Sequence, residues 1–142
     1  MRIHLITPAG ATRLTGNRLS GARWVRTLRS LGHQVSNTAV YRDTPCDLLI
    51  ALHARRSHNA IVRFSEKHPE KPLIVVLTGT DLYRDIHVYR DAQDSLERAT
   101  RLVVLQEMGV PELPASTRAK ATVIYQSAAP IIGSPGVGQV AV

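Results

Sequence analysis

Cysteine, lysine, aromatic residues and long apolar runs are all scarce in this 142-residue chain. Cys46 is the only cysteine, so no disulfide can form within the chain, which suits a reducing compartment. A single thiol beside Asp47, at the start of a predicted strand, is more typical of a small core residue than of a nucleophile. No apolar run approaches the ~20 residues that a membrane-spanning helix needs, and the first residues lack a signal-peptide pattern. We therefore expect a cytoplasmic protein that does not enter a membrane.

Aromatic residues make up only 4% of the chain, which leaves few side chains to stack on nucleic-acid bases. The formal net charge is nevertheless +7, and all but three of the 18 basic residues are arginine. Arginine binds phosphate and carboxylate groups through paired hydrogen bonds, so this excess indicates anionic partners. The arginines are spread from Arg2 to Arg118 without a basic run, which disfavours nucleic acid. A solvated, arginine-rich surface is the plainer alternative.

The motifs of several well-known chemistries are also missing. The chain has no P-loop, no dinucleotide-binding fingerprint, no nucleophile elbow and no zinc-protease motif. His53 and His58 could suggest a metal, but no third ligand follows at a suitable spacing, and the other histidines are scattered. We therefore expect no metal and no cofactor, and hydrolase and metalloprotease functions have no support.

Short apolar runs alternate with amphipathic stretches, which predicts an α/β protein with a Rossmann-like parallel sheet and helices on both faces. Imperfect alternation places the second strand toward an edge of the sheet. Gly32 stands where the first helix should end, and Ser57 stands where the second should be capped. The strands are predicted at 3–7, 34–40, 48–52, 73–77, 102–105 and 122–125, and the helices at 18–31, about 57–66 and about 90–99.

The last residues differ from the rest of the chain. Residues 128–142 contain no charge, two prolines and three glycines. Such a composition is typical of a linker, or of the truncated start of another unit, and not of a folded domain. We therefore assign one domain to residues 1–127 and a linker or truncated second domain to 128–142.

Ligands of an open parallel sheet bind at the carboxyl ends of its strands, which selects four loops. The first, 8–17, contains two glycines and precedes a helix N-terminus, as a phosphate-binding loop would. The second, 53–57, brings His53, Arg55 and Arg56 to the end of a strand and suggests an anion site. For the first loop, the alternative is an ordinary turn. For His53, the alternative is a structural or merely exposed histidine. The loop at 125–127 is also selected.

The loop at 78–83 is the most distinctive of the four. Gly79 and Thr80 follow a buried strand directly, and Asp81 comes next. Asp81 could orient a sugar hydroxyl or act as a base. Alternatively, Asp81 caps a helical turn and Tyr83 packs on the sheet.

Five segments occur together in an order that resembles the N-terminal domain of GT-B glycosyltransferases of the GT4 type. More closely, the chain resembles the bacterial selenosugar synthases of selenoneine biosynthesis. The segments are Gly16–Arg18 (GNR), Leu52–Ser57 (LHARRS), Leu77–Tyr83 (LTGTDLY), Arg101–Gln106 (RLVVLQ) and Val123–Ser127 (VIYQS).

The resemblance implies two Rossmann-like domains facing each other across a cleft. It also implies transfer of a sugar from a UDP-sugar donor to selenophosphate, an anionic small-molecule acceptor. Arg18, Arg55 and Arg56 would bind the acceptor phosphate, while Gly16 and Asn17 would approach the donor diphosphate. The other implied substrate-binding residues are His53, Gly79, Thr80 and Tyr83, and Asp81 would lie near the sugar as the catalytic residue. Positive side chains and helix termini would stabilise the departing UDP without a metal.

The resemblance covers about residues 1–128, and the family's C-terminal nucleotide-binding domain has no counterpart in the 142 residues. We therefore expect the chain alone to have little or no transferase activity. Three alternatives stay open. They are a GT4-type transferase with another acceptor, a non-enzymatic α/β module that binds anions or RNA, and a relic without function.

Overall fold

The computed structural model describes residues 1–8 and 16–125, with the backbone alone described at 16–19. Strands and helices alternate along the chain, as the apolar runs predict. The strands are β1 (Arg2–Ile6), β2 (Gln34–Thr38), β3 (Leu48–Leu52), β4 (Leu73–Val76), β5 (Arg101–Val104) and β6 (Ala121–Val123). The α-helices are α1 (Gly16–Ser30), α2 (His58–Lys67), α3 (Ile86–Val88) and α4 (Arg90–Arg98).

The six described strands form one parallel sheet in the order β2-β1-β3-β4-β5-β6. The predicted α/β class is confirmed, and so is the position of the second strand at an edge of the sheet. The chain runs outward from β1 to β2, returns to β3, and then continues in the other direction. The point where the order reverses lies between β1 and β3, which is where open parallel sheets bind ligands.

Alternate residues of each strand feed two separate apolar cores, because successive side chains point to opposite faces. On one face, Leu49 and Ala51 of β3 pack with Ala60, Ile61 and Phe64 of α2. This face also carries Ala92 and Leu96 of α4. On the other face, the strands pack against α1 through Trp24, Val25 and Leu28. Helices therefore cover both faces, as predicted.

Helix ends show one confirmed prediction and one wrong one. Gly32 has a φ of 94°, a left-handed conformation that favours glycine, and it ends α1 as expected. Ser57 precedes α2 but makes no capping hydrogen bond, because its hydroxyl donates to the carbonyl of Leu52 instead. Ser57 therefore ties the start of α2 to the end of β3.

Cys46 is buried, as expected of a core residue, and burial raises the pKa of its thiol.

Two regions between the strands are more helical than the sequence indicates. The segment Asp81–Asp85 forms a π-helical turn that leads into α3. Residues Glu107–Glu112 and Ala115–Lys120 form two 3-10 helices where a loop with a short helix is predicted. The π-helical turn follows β4 and the first 3-10 helix follows β5, so both lie at the carboxyl ends of these strands.

Candidate functional site

The loops that follow β3 and β4 lie side by side, because these strands are neighbours in the sheet. His53 is the first residue after β3 and has a φ of 75°, a conformation that L-residues rarely adopt. Such backbone strain persists only where the surrounding structure enforces it, and it is concentrated at functional sites. The strain at His53 therefore makes this loop a candidate functional site.

The imidazole of His53 is almost fully buried and organises the loop from inside. Its Nδ1 accepts the backbone N–H groups of Arg55, at 3.3 Å, and of Arg56, at 3.0 Å. Nε2 must then carry the proton, and it lies 3.1 Å from Oγ1 of Thr80. His53 thus fixes the backbone of the two arginines and links it to the next loop.

The charged neighbours of His53 are two buried carboxylates, which raise its pKa, and the guanidinium groups of Arg55 and Arg56, which lower it. Oδ2 of Asp85 lies 3.6 Å from Nε2 of His53 and accepts no hydrogen bond from any described residue. The other oxygen of Asp85 accepts Nε of Arg84 at 3.0 Å. Burial lowers the pKa of His53, although Asp81 and Asp85 oppose this effect. The ring is therefore neutral near pH 7, in keeping with its hydrogen bonds.

Protonation of this buried ring should weaken the fold in acid. Because the folded-state pKa of His53 is lowered, the unfolded chain binds more protons once the pH falls below about 6.5. The contribution of the neutral His53 ring to the free energy of unfolding is fully present above that pH. It is lost as the pH falls toward the folded-state pKa. The buried ring of His4, whose pKa is also lowered by burial, acts in the same direction.

We therefore expect the melting temperature to fall between about pH 7 and pH 5, and to fall less in a His53→Asn variant. Asparagine tolerates a positive φ and keeps an acceptor for the two amides. Thermal unfolding followed by circular dichroism measures the effect. A His33→Gln control leaves both buried rings in place and should behave as the parent does. An identical acid loss in His53→Asn would show that His53 does not contribute.

Asp81 joins the two loops through its carboxylate and is 0% exposed. One oxygen accepts the backbone N–H groups of Thr78 and Gly79, each at 2.9 Å. The other accepts the N–H of Ala54, also at 2.9 Å. All three donors are backbone amides, and the carboxylate has no exposed surface for a sugar hydroxyl. This geometry favours a structural role for Asp81, and its catalytic role stays a prediction.

Around Asp81, Gly79 and Tyr83 differ in what they contribute. Gly79 has a φ of 153°, which favours glycine and lets the chain turn after the strand. The Tyr83 side chain is exposed rather than packed on the sheet, and its hydroxyl accepts a hydrogen bond from Gln106. Tyr83 therefore stands at the rim of the site, where a ligand can contact it.

Arg55 and Arg56 extend outward from the loop that His53 holds. The guanidinium of Arg55 lies 3.7 Å from the centre of the Tyr89 ring, a cation–π contact that orients the side chain. Neither Tyr89 nor Asp85 is recognisable as a site residue in the sequence. The tertiary fold alone brings them to the arginine loop.

A cavity of about 540 Å³ adjoins Arg56 on the side of β2. Its walls are residues 39–41, which follow β2, and the first turns of α2. The ring of Tyr41 is buried there, and its hydroxyl has no hydrogen-bond partner among the described residues. The first N–H groups of a helix lack intrahelical partners, so α2 adds donors and a partial positive charge. The cavity has the size to receive a small anion, and its charged lining residues include two arginines, Arg56 and Arg63, and one carboxylate, Glu66.

The remaining predicted residues belong to the first loop. Gly16, Asn17 and Arg18 form the first residues of α1, so the helix begins two residues before the predicted start at residue 18, and Gly16 and Asn17 belong to the helix and not to the loop. The side chains of Asn17 and Arg18, together with residues 9–15, lie outside the described residues. The predicted loop 125–127 and segment 128–142 also lie outside them, apart from Tyr125.

The site shows no arrangement typical of a metal centre. Nε2 of His58 donates to the carboxylate of Asp94 of α4 at 2.9 Å, so His58 bridges two helices and does not converge with His53. Across residues 1–8 and 16–125, no group of three or more histidine, cysteine or acidic residues could hold a metal ion. None of the helices in this part of the chain is both long enough and apolar enough to cross a membrane.

Comparison with models of known protein families, and with curated proteins, found no match to this chain.

Proposed function

We propose that this chain is the acceptor-side domain of a GT-B glycosyltransferase that transfers a sugar from a UDP-sugar to selenophosphate. The observation that carries the proposal is the loop 53–57, in which His53 fixes the backbone of Arg55 and Arg56 and Arg56 lines a 540 Å³ cavity at the carboxyl edge of the sheet. The resemblance of five segments to selenosugar-forming enzymes of the GT4 type supplies the reaction. One argument rests on geometry and the other on sequence, and both include the loop 53–57.

The arrangement suits an anionic acceptor in three respects. Arg56 lines the cavity wall, and the N-terminus of α2 adds N–H donors to the same space. Arg55 is oriented by Tyr89 and does not have to be ordered on binding. His53 is neutral and buried, so it positions the arginines and does not contact the acceptor. Arg18 would complete the phosphate contacts from the start of α1.

The proposed reaction needs little chemistry from this domain. Selenium of the acceptor attacks the anomeric carbon, the bond from that carbon to the UDP oxygen breaks, and UDP leaves with the bonding electrons. Catalysis then depends on positioning the acceptor and on stabilising the negative charge of the leaving diphosphate. Gly16 and Asn17, at the N-terminus of α1, would face that diphosphate.

A mass-spectrometric assay of the full-length gene product tests the proposal. The enzyme is incubated with selenophosphate and either UDP-N-acetylglucosamine or UDP-glucose, and a selenosugar is expected. An Arg55→Ala, Arg56→Ala variant loses two charge-assisted phosphate contacts of roughly 1.5–3 kcal/mol each. We therefore expect kcat/KM to fall at least about a hundredfold.

The matched control is Arg26→Ala, Arg101→Ala, which removes the same charge from exposed positions on α1 and at the amino end of β5. This variant should retain nearly full activity. Absence of a selenosugar with either donor would overturn the selenosugar assignment. If instead the chain binds heparin or RNA with an affinity that falls steeply with salt, and both double variants weaken that binding equally, a non-enzymatic anion-binding module is the better description.

A further inference from the structure

Asp85 is a buried carboxylate to which the proposed reaction gives no role. The residue is 1% exposed, and its Oδ1 accepts a hydrogen bond from Nε of Arg84 at 3.0 Å. Its Oδ2 receives no hydrogen bond from any group in residues 1–8 and 16–125. Burying a charged oxygen without a hydrogen bond costs free energy, so this carboxylate contributes little to stability. Polar groups kept at such a cost are concentrated at functional sites.

Oδ2 of Asp85 lies beside the imidazole of His53, 3.6 Å from Nε2. The other ring nitrogen, Nδ1, accepts the backbone N–H groups of Arg55 and Arg56. A nitrogen that accepts N–H groups carries no proton, so this loop requires the tautomer with the proton on Nε2. A negative charge beside Nε2 attracts that proton and therefore favours the required tautomer.

The hydroxyl of Thr80 is a second group beside Nε2 of His53, at 3.1 Å. A hydroxyl can donate or accept, so Thr80 is compatible with either tautomer of the ring. A carboxylate only accepts, so Asp85 distinguishes the two tautomers where Thr80 does not. The arrangement is not a nucleophile with its base, because the nitrogen that faces the hydroxyl already carries the proton.

The backbone of Asp85 supports the same loop from another direction. Its carbonyl accepts the N–H of Tyr89 at 2.8 Å, and the ring of Tyr89 lies 3.7 Å from the guanidinium of Arg55. A substitution at position 85 leaves this backbone hydrogen bond in place. Such a variant therefore isolates the effect of the carboxylate.

We propose that Asp85 is a positioning residue, whose carboxylate keeps the proton of His53 on Nε2 so that Nδ1 can hold the backbone of Arg55 and Arg56. The inference rests on the proposed function, in which these two arginines bind the anionic acceptor. Asp85 acts through His53 and does not contact the acceptor. Without the carboxylate, part of the proton moves to Nδ1, where it faces two N–H donors, and the arginine loop loses its acceptor.

Nitrogen-15 NMR of the 142-residue chain at neutral pH tests this inference, because it distinguishes a protonated from an unprotonated ring nitrogen. The signals of His53 are those that a His53→Asn variant lacks. In the parent, Nε2 should be protonated and Nδ1 unprotonated. Asp85→Asn and Asp85→Ala should both increase the protonation of Nδ1, and the alanine variant has no side-chain acceptor in any orientation. Asp91→Asn, which neutralises an exposed carboxylate of α4, should keep the parent signals.

Phosphate affinity and melting temperature separate positioning from a structural role. Asp85→Asn should bind inorganic phosphate about two- to thirtyfold more weakly in titration calorimetry. Loss of a negative charge alone would tighten anion binding, so a simple electrostatic effect has the opposite sign. The melting temperature of Asp85→Asn should equal or exceed that of the parent, because a buried charge is removed. A structural residue would give a lower melting temperature and an unchanged affinity, and Asp91→Asn should change neither.

The inference is overturned if the His53 signals of both Asp85 variants match the parent, if phosphate binding is unchanged or tighter, or if Asp85→Asn does not fold. A further loss of affinity when Asp85→Asn is added to His53→Asn also overturns it, since Asp85 would then act without His53. The ring signals need no ligand, so they decide the matter even where phosphate binding is too weak to measure. If no selenosugar forms but the ring signals respond as expected, the positioning role stands and the proposed reaction does not.

Discussion

Replacement of Asp81 by alanine is expected to lower the free energy of unfolding by about 3–6 kcal/mol. The substitution leaves the backbone N–H groups of Ala54, Thr78 and Gly79 without their acceptor. Each buried donor left unsatisfied costs about 1–3 kcal/mol, and the total stays below three times the upper value because Thr78 and Gly79 are only partly buried. Single domains are stable by only 5–15 kcal/mol, so the variant should be close to unfolding. Urea denaturation followed by circular dichroism measures the loss.

Two further variants distinguish a structural role of Asp81 from a catalytic one. Asp81→Asn keeps one acceptor oxygen but turns an amide donor toward one set of N–H groups, so an intermediate loss is expected. Asp91→Ala removes an exposed carboxylate of α4 and should change stability by less than about 0.5 kcal/mol. If Asp81→Asn is as stable as the parent but abolishes sugar transfer, the catalytic role of Asp81 is supported and the structural explanation is wrong.

Replacement of Phe64 by alanine is expected to cost about 3–5 kcal/mol, the usual range for a large aromatic residue in a core. Phe64 is 0% exposed and packs edge-on against the ring of Tyr41, with ring centres 5.7 Å apart. The space left behind adjoins the cavity beside Arg56, because Tyr41 lines both. The variant should therefore lose stability and should also bind small anions more weakly.

Val62 of the same helix provides the control for Phe64. Val62 lines the cavity but is only partly buried, so Val62→Ala should cost clearly less than Phe64→Ala. Chemical denaturation gives the stability of both variants, and titration calorimetry with inorganic phosphate gives the affinity. Equal losses of stability in the two variants would show that Phe64 is not the anchor of α2 on the sheet.

Most of the fold is predictable from the sequence because buried parallel strands leave a strong local signal. Continuous apolar runs such as Leu48–Leu52 identify a strand covered on both faces, and each of the six strands overlaps its predicted range. The short helical turns at Asp81–Asp85 and Ile86–Val88 are less visible, because too few residues are involved for an apolar period to show. The absent cap at Ser57 depends on a competing acceptor, the carbonyl of Leu52, which sequence cannot reveal.

The candidate site is predictable only in part. The rule that ligands lie at the carboxyl ends of strands selects the loops that contain His53 and Asp81, and the structure brings these loops together. The hydrogen bonds of His53 and Asp81 depend on backbone groups of other loops, which carry no signature in the sequence. Tyr41 and Tyr89 adjoin the site through tertiary packing, and no local pattern marks them. The sequence therefore indicates where a ligand binds better than how each residue contributes.

The order of the strands also bears on how the molecule resists self-association. In the described part of the chain, β2 and β6 form the two edges of the sheet, and edge strands can pair with other chains. The residues of β2 that face outward are all polar, and β6 is only three residues long. A short or polar edge is a poor template for intermolecular β-pairing, so both edges disfavour the pairing that leads to aggregation.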